Sequence, residues 1–251
     1  DDNIKVDYII NAASNADPKR YALFPSDTIM TNILGTYHAL EYAKKHKAKV
    51  LMMSTMEVYG ETKNESKSET DFGLIDFNQI RSCYPESKRL AELLCKCYLD
   101  EYGVNSIIAR LGYVYGPTMS KTDSKVVAQF IRNIINKENI VLKSNGTQRR
   151  SYCYVADAVS GIFVALFKGT SGEAYNIASK KSEITIKDLA VLASEIAGTK
   201  VVYDIPTEIE KKGSSVIKNN VLNVEKIEKL GWSDKYNVEE GLKRTVDILS
   251  E

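Results

Sequence analysis

Three apolar runs in the first half of the chain have the pattern of strands that are covered on both faces. They are Val6–Ile10, Val50–Met53 and Ser106–Leu111. Continuous apolar runs of this length predict parallel strands in a sheet that carries helices on both sides. Small or polar residues follow each run. Because the carboxyl ends of parallel strands meet at one edge of a sheet, we expect these residues to line one crevice.

Helical patterns separate the three runs. Apolar residues recur at helical spacing in Thr28–His46 and again in Pro85–Tyr102. The order strand, helix, strand, helix, strand predicts right-handed crossovers and a doubly wound parallel α/β sheet. We assign residues 1–117 to this sheet-based domain.

The pattern changes after Pro117, where the predicted elements become shorter and more mixed. Asp123–Glu138 is predicted to be a helix and Ile140–Leu142 a short strand. Asp157 and Thr185 are predicted to cap helices that run through Phe167 and Ala197, and a further helix is predicted from Asn223 to Gly231. We expect residues 118–251 to form a smaller α/β lobe, from which some segments, about 151–180, return to the sheet.

Composition and charge exclude several classes of protein. The chain has 251 residues, 43% apolar content and a net charge of +1, so nothing predicts binding to nucleic acid or to an anionic membrane. No apolar run approaches the roughly 18 residues that span a bilayer. Four cysteines without a CxxC pair and two histidines predict free thiols and no metal site. Because the start of the sequence lacks a signal-peptide pattern, we expect a cytoplasmic protein.

Tyr84 and Lys88 carry the strongest candidate chemistry. They are four residues apart at the start of a predicted helix, so they lie on one face, one turn apart. A tyrosine has a pKa of about 10 and is a poor base at neutral pH, but a nearby ammonium stabilises the phenolate. The pair can then take a proton from a hydroxyl group while hydride leaves its carbon. Thr55, at a predicted strand end, can hydrogen-bond the same hydroxyl.

The tyrosine–lysine spacing is weak by itself, because Tyr59 and Lys63 match it as well. That second pair does not open an amphipathic helix, whereas Tyr84 and Lys88 do. The interpretation of Tyr84 and Lys88 therefore depends on the motifs around them.

Seven motifs, one of which contains this pair, occur along the chain in a characteristic order. They are Asn11–Ala13, Thr31–Thr36, Ser54–Gly60, Tyr84–Lys88 and Arg110–Pro117, followed by Gln148–Asp157 and Leu230–Trp232. In this order they resemble the NAD-dependent epimerase/dehydratase family of extended short-chain dehydrogenases, over essentially the whole chain. Within that family, Arg81–Arg89, Asp123–Val127 and Gln148–Tyr152 look most like the UDP-glucuronate decarboxylases.

The resemblance implies a Rossmann-type sheet, NAD as cofactor and a nucleotide sugar, UDP-glucuronate in the first place, as substrate. Oxidation of the sugar at C4 would give a transient 4-keto intermediate that loses its carboxylate before the hydride returns. The implied catalytic residues are Thr55, Glu57, Tyr84 and Lys88, with Glu57 as a carboxylate near the reacting carbons. Ala12, Ala13 and Asn32, with Tyr84 and Lys88, are implied on the cofactor side, and Arg81, Tyr113 and Arg150 on the substrate side. An ion pair with Asp157 is the structural alternative for Arg150.

Two residues depart from the family pattern. Met56 stands where the dehydratases carry an aspartate, and because a thioether cannot transfer protons, this disfavours 4,6-dehydration. Tyr113 stands where an asparagine commonly holds the diphosphate of the substrate. A 4-epimerase or dehydratase of the same family and a catalytically incompetent binding module are therefore kept as alternatives to the decarboxylase.

A glycine-rich turn of the GxGxxG kind does not occur in the chain. In dinucleotide-binding sheets this turn lets backbone amides approach the pyrophosphate, and the βα units that normally carry it are absent as well. We therefore expect the sheet to lack its first βα units, the sequence to lack the N-terminal part of a longer protein, and the edge of the first strand to be exposed.

Association into a homodimer is also implied by the resemblance. Relatives pair the helices that correspond to Thr28–His46 and Pro85–Tyr102 in a four-helix bundle. Both helices carry apolar residues beyond one stripe, for example Tyr42 and Leu94.

Overall fold

The structure, a computed structural model, describes residues 4–213 and 217–251. These residues form eleven strands and nine helices. The strands are β1 (Tyr8–Asn11), β2 (Lys49–Thr55), β3 (Ser66–Lys67), β4 (Ser106–Leu111), β5 (Tyr113–Tyr115), β6 (Ile140–Leu142), β7 (Arg149–Tyr154), β8 (Ala174–Ile177), β9 (Glu183–Thr185), β10 (Val201–Tyr203) and β11 (Asn219–Leu222). The helices are α1 (Pro18–Leu23), α2 (Pro25–His46), α3 (Cys83–Tyr102), α4 (Val126–Asn136), α5 (Val155–Lys168), α6 (Ile186–Ala197), α7 (Glu208–Gly213), α8 (Glu225–Glu228) and α9 (Val238–Ser250).

A parallel four-stranded sheet in the order β1-β2-β4-β8 is the centre of the fold. Successive residues of β2 point to opposite faces of this sheet. Val50 and Met52 pack with α2 and α3, whereas Leu51 packs with α5. Helices cover both faces because both sides of the central strands are apolar. The expected doubly wound parallel α/β fold is thus confirmed.

Strand β1 differs from the prediction of a strand buried on both faces. Its residues alternate between exposed and half-buried, and Tyr8 and Ile10 remain 51% and 44% exposed. The physical reason is its position at the edge of the sheet, where β2 is its one hydrogen-bonded neighbour among the described strands.

A second layer of short strands stands beside the central sheet. Strands β3, β11, β7 and β5 pair in that order, with β9 against β7, and β10 pairs separately with β6. Helices α4, α6 and α9 enclose a core with Phe130, Ile140 and Leu189 at its centre. The chain returns to the central sheet through α5 and β8. Among the described residues, no helix is long and apolar enough to cross a membrane.

The predicted helix starts in the second half of the chain have mixed outcomes. Thr185 caps α6, since its side chain accepts a hydrogen bond from the amide of Asp188. The prediction that Asp157 caps a helix is wrong, because Asp157 lies inside α5. Its carboxylate accepts hydrogen bonds from the amides of Lys235 and Tyr236, both at 3.0 Å. The helix predicted from Asn223 to Gly231 is also too long, because the observed α8 spans only Glu225–Glu228.

Candidate active site

The polar ends of the central strands meet at one small cavity, of about 240 Å³. Ala12 and Ser14 follow β1, Thr55 ends β2, and Gly112 and Tyr113 follow β4. This convergence follows from the parallel order of the strands, which brings all their carboxyl ends to one edge. The cavity is therefore at the place that the sequence predicts.

Tyr84 lies in the wall of this cavity, in the first turn of α3. It is 7% exposed, and Thr55, at the end of β2, lines the same cavity. Burial raises the pKa of Tyr84 above its usual value and the charge of Glu57 adds to this, whereas Thr55 and the charge of Arg81 act in the opposite direction. The phenol is thus neutral at physiological pH in the chain alone, and needs further positive charge to act as a base.

Lys88 lines the same cavity one helical turn beyond Tyr84. Its Nζ atom donates a hydrogen bond of 2.8 Å to the carbonyl oxygen of Met53. Burial lowers the pKa of Lys88 to about 8, and Glu92, a further turn along α3, opposes that shift. Glu92 is itself held by Arg110, at 2.7 Å. The lysine is therefore fixed by the backbone of β2, in the wall of the cavity that Tyr84 also lines.

Glu57 and Arg81 form a close ion pair beside Tyr84. Glu57 belongs to the 3-10 turn Met56–Tyr59 that follows β2, and Arg81 belongs to the turn Ile80–Ser82 that precedes α3. The Arg81 Nη2 atom lies 2.6 Å and 2.8 Å from the two carboxylate oxygens. Arg81 also has a buried Nε atom without a hydrogen-bond partner among the described residues. Arg81 thus keeps one unpaired but covered N–H, while its side chain lines a cavity.

Tyr21 is a site residue that the sequence does not predict. Its ring stacks on the ring of Tyr84, with centroids 4.5 Å apart, and the Arg81 guanidinium lies over it at 5.0 Å. Helix α1 brings it there, since Asp17 caps that helix and Pro18 occupies its first turn. The Asp-Pro pair directly after the first polar strand end is the signal that marks a short helix at the crevice.

A second and larger cavity, of about 620 Å³, opens between the sheet and the smaller lobe. Seven basic side chains line it, against three carboxylates. The basic residues are Lys19, Arg81, Lys125, Arg132, Lys143, Arg150 and Lys211. Such an excess of positive charge suits an anionic ligand. The sequence predicts only Arg81 and Arg150 of this set, because the other residues come from elements that meet only in the folded chain.

Arg150 is 4% exposed, in β7. Its Nη1 atom donates to the carbonyl oxygens of Arg149 and Lys218, at 2.9 Å and 3.3 Å, and its guanidinium lies 5.5 Å from the ring centre of Tyr113. The alternative ion pair with Asp157 is not formed, because that carboxylate is engaged by backbone amides. Tyr113 and Glu57 line both cavities and so mark their junction.

Three of the predicted cofactor-side residues have different surroundings. Ala12 lines the small cavity, whereas Ala13 is exposed and lies near Gly35 of α2. Asn32 is buried in α2 and donates a hydrogen bond of 2.9 Å to Ser87 of α3. Asn32 therefore braces the helix that carries Tyr84.

Met56 is buried in the core under the central sheet, with an exposure of 1%. A side-chain carbon added at Gly112 would come within 3.3 Å of its terminal methyl group. Met56 thus packs into the core and also lines the small cavity, where no proton-transferring group stands at this position.

Comparisons with known proteins give results that are consistent with one another. A sequence model described as the NAD dependent epimerase/dehydratase family matches residues 1–178. UDP-glucuronic acid decarboxylase 3 of Arabidopsis thaliana is 35% identical over 243 residues, which are 95% of this chain and 68% of the relative. A UDP-glucose 4-epimerase of Thermotoga maritima, solved with UDP-glucose, is 28% identical with a TM-score of 0.84, over 96% of this chain and 76% of the other. A dTDP-glucose 4,6-dehydratase of Bacillus anthracis, solved with NAD, is 27% identical with a TM-score of 0.79, over 96% and 72% of the two chains.

Proposed function

The chain belongs to the NAD-dependent epimerase/dehydratase family, and on that premise we propose that it decarboxylates UDP-glucuronate through a transient 4-keto sugar. The observation that carries this proposal is the Glu57–Arg81 ion pair beside Tyr84. It puts a guanidinium in the wall of the large cavity, next to the junction where the sugar of a nucleotide sugar would lie. A sugar carboxylate is the group that such a donor binds best.

The small cavity fits one end of the NAD that the family uses. Its wall contains Lys88 and Tyr84, and also Ser14, whose buried hydroxyl has no partner among the described residues. Ala12 would face the cofactor, while Asn32 would act from behind by bracing α3. When bound, NAD supplies the acceptor for the hydride that leaves C4 of the sugar.

Tyr84 is the proposed base for the C4 hydroxyl. The Thr55 hydroxyl lines the same cavity and would hydrogen-bond the same C4 hydroxyl, and Lys88, on the same face of α3, would supply the positive charge that favours the phenolate. A C4 ketone next to the carbon that bears the carboxylate weakens the bond to CO₂, because the electrons left behind are delocalised as an enolate. Glu57 keeps Arg81 oriented towards the leaving carboxylate and lies within the wall of the same space.

The diphosphate and uridine are proposed to occupy the large cavity. Arg150 presents a buried guanidinium there, which Tyr113 supports from one side. The surplus of lysine and arginine side chains around it stabilises the two phosphate charges. The sugar would then extend past Glu57 and Tyr113 towards Tyr84.

Product analysis tests the proposal directly. The protein is incubated with UDP-glucuronate and NAD and followed by NMR, and we expect a UDP-pentose that has lost the carboxylate carbon. A UDP-hexuronate with inverted C4 would instead make the protein a 4-epimerase. Tyr84→Phe is the control, because it keeps the ring but removes the base, and should lower turnover by about a hundredfold or more. Absence of any product from the unchanged protein would favour a binding module.

We also propose a cytoplasmic homodimer that pairs α2 and α3 with the same helices of a second copy. One face of these helices exposes large apolar side chains, each 41% or more accessible. They are Met30, Leu34, Tyr37, Leu90 and Leu93. Tyr42 and Leu94, the residues that the sequence singles out, are instead half-buried within the chain. The four unpaired cysteines are compatible with a reducing compartment.

A further inference from the structure

Lys67 is a buried lysine that the proposed chemistry does not use. It lies in β3, is 1% exposed, and makes no ion pair with a carboxylate within residues 4–213 and 217–251. Burial lowers the pKa of Lys67 to about 8; the charge of Arg150 acts in the same direction, while Glu57, Glu61 and Asp71 oppose it. A buried ammonium without a carboxylate partner costs stability, so an apolar side chain of similar size would be favoured if packing alone mattered.

The hydrogen bonds of Lys67 connect two parts of the candidate site. Its Nζ atom donates to the carbonyl oxygen of Gly60 at 2.9 Å and to Oδ1 of Asn220 at 2.8 Å. Gly60 ends the 3-10 turn that carries Glu57, and its amide donates to the Glu57 carbonyl oxygen at 3.1 Å. Asn220, in β11, is paired in register with Arg150 of β7. One ammonium thus lies between the turn of Glu57 and the strand of Arg150.

The backbone around Lys67 reinforces the same connection. Strand β3 pairs with β11, with Lys67 opposite Leu222, and the Lys67 carbonyl oxygen accepts a hydrogen bond from the amide of Asn223. The 3-10 turn of Glu57 is also held by other side chains, since Arg89 donates to the Val58 carbonyl oxygen at 2.6 Å and Tyr59 donates to Asn176 at 2.6 Å. Asn176 links Tyr59 of this turn to the Asn223 carbonyl oxygen, next to β11. The side chain of Lys67 connects the end of the turn to Asn220, the residue opposite Arg150.

We propose that Lys67 is a positioning residue whose two hydrogen bonds hold the turn of Glu57 in register with the strand of Arg150. The proposal rests on the proposed function, in which the sugar lies at Glu57 and the diphosphate at Arg150. A fixed separation between these two residues sets where the sugar stops relative to Tyr84. The positioning of reacting groups to within a fraction of an ångström is a large part of enzymatic rate acceleration.

Hydrogen exchange tests the connection without any reaction. Lys67→Met keeps the length of the side chain and removes both donors. Lys49→Met is the matched control, since Lys49 also donates to a backbone carbonyl, that of Gly169, and lies at the opposite end of β2 from Thr55. We expect exchange in peptides 56–62 and 219–223 to rise by about tenfold in Lys67→Met only. Unchanged exchange in both peptides would overturn the proposal.

Kinetics separate positioning from stability. At a temperature well below unfolding, we expect Lys67→Met to lower kcat by about tenfold while the Kd of UDP changes by less than about twofold. Lys67→Gln, which keeps two donors, should recover most of that loss. If Lys67→Met is less stable but its kcat is unchanged, Lys67 has no positioning role. The same conclusion follows if the kcat of Lys67→Gln is no higher than that of Lys67→Met.

A second variant covers the case in which Lys67→Met does not fold. Asn220→Ala removes one acceptor while leaving the ammonium in place. Like Lys67→Met, it should raise hydrogen exchange in peptide 56–62 and lower kcat. If the unchanged protein fails to convert UDP-glucuronate, the proposed function is wrong. The exchange data still show in that case whether Lys67 connects the two segments.

Discussion

The ring of Tyr21 lies flat against the ring of Tyr84, with centroids 4.5 Å apart and an interplanar angle of 15°. Helix α1 and the first turn of α3 are thereby joined at the residue that we propose as the base. Tyr21 is 3% exposed, and its pKa is raised by burial and by the neighbouring Tyr84, so both phenols are neutral. The two stacked rings lie side by side in the wall of the small cavity.

Substitution of Tyr21 tests this relationship. We expect Tyr21→Leu to lower kcat by about five- to tenfold, because an aromatic pair contributes about 1 kcal/mol beyond its buried area. Tyr21→Phe keeps the ring and should stay within about twofold of the unchanged protein. Steady-state kinetics with thermal unfolding as a control measure both effects, and equal activity of Leu and Phe variants would contradict the role of the stack.

Glu57→Gln should lower turnover by about a hundredfold. The amide cannot balance the charge of Arg81, which lies 2.6 Å from the carboxylate, so Arg81 is no longer held in one orientation. Glu61→Gln is the control, since Glu61 belongs to the next few residues and is exposed. Comparable losses in kcat for the two variants would speak against a specific role of Glu57.

Arg150→Met should weaken UDP binding by about tenfold to a hundredfold, as expected for the loss of charge-assisted hydrogen bonds. Arg149→Met is the adjacent control. Its side chain is 48% exposed and pairs with Glu183 at 3.5 Å, away from the cavity wall. Calorimetric titration with UDP measures both variants. If the Arg150 variant binds UDP with the same Kd as the unchanged protein, the diphosphate does not bind at Arg150.

Lys88 should contribute a rise in stability with pH between about 8 and 9.5, whereas Cys83, Cys95 and Cys153, whose pKa values burial raises, contribute a fall. Burial holds the pKa of Lys88 at about 8 in the folded chain, well below its unfolded value of about 10.4. In this window the lysine binds more protons in the unfolded chain than in the folded one, so its contribution to the free energy of unfolding increases as the pH rises. Each such lysine contributes a slope of up to about 1.4 kcal/mol per pH unit.

Lys88→Met should remove its share of this slope, as measured by urea unfolding at pH 7.5, 8.5 and 9.5 in buffers of about equal ionic strength. Lys67, whose pKa is also lowered to about 8, keeps a residual slope in the variant. Lys243→Met is the control, because Lys243 pairs with Glu239 on the surface and is fully exposed to solvent. The same slope in all three proteins would mean that Lys88 is not buried as an ammonium.

Association is tested on the exposed face of α3. We expect Leu93→Glu to convert a dimer into monomers, because it puts a charge at the centre of an apolar interface. Leu93 is 55% exposed in the single chain, whereas Leu74, on another surface, is 83% exposed. Leu74→Glu should therefore leave the sedimentation coefficient unchanged. A monomer in the unsubstituted protein would contradict the proposed pairing.

Local patterns were sufficient for the elements that interact mainly with their neighbours in sequence. The bounds predicted for β4 and β6, Ser106–Leu111 and Ile140–Leu142, are those observed, because apolar runs between turn signals have few alternatives. Thr185 caps its helix through residues within three positions. Asp157 has the same local signature, yet its carboxylate binds amides 78 and 79 residues away, which no local pattern contains.

The sequence by itself determined that Tyr84 and Lys88 share one face of a helix and that the polar strand ends meet at one crevice, since helical and parallel-strand geometry dictate both. Only the tertiary structure decided which groups surround them. Three of these contacts join residues from different elements. Tyr21 stacks on Tyr84, Arg81 pairs with Glu57, and Lys67 donates hydrogen bonds to Gly60 and Asn220. Such contacts depend on how the elements pack, and burial in that packing is also what shifts the pKa values of Tyr84 and Lys88.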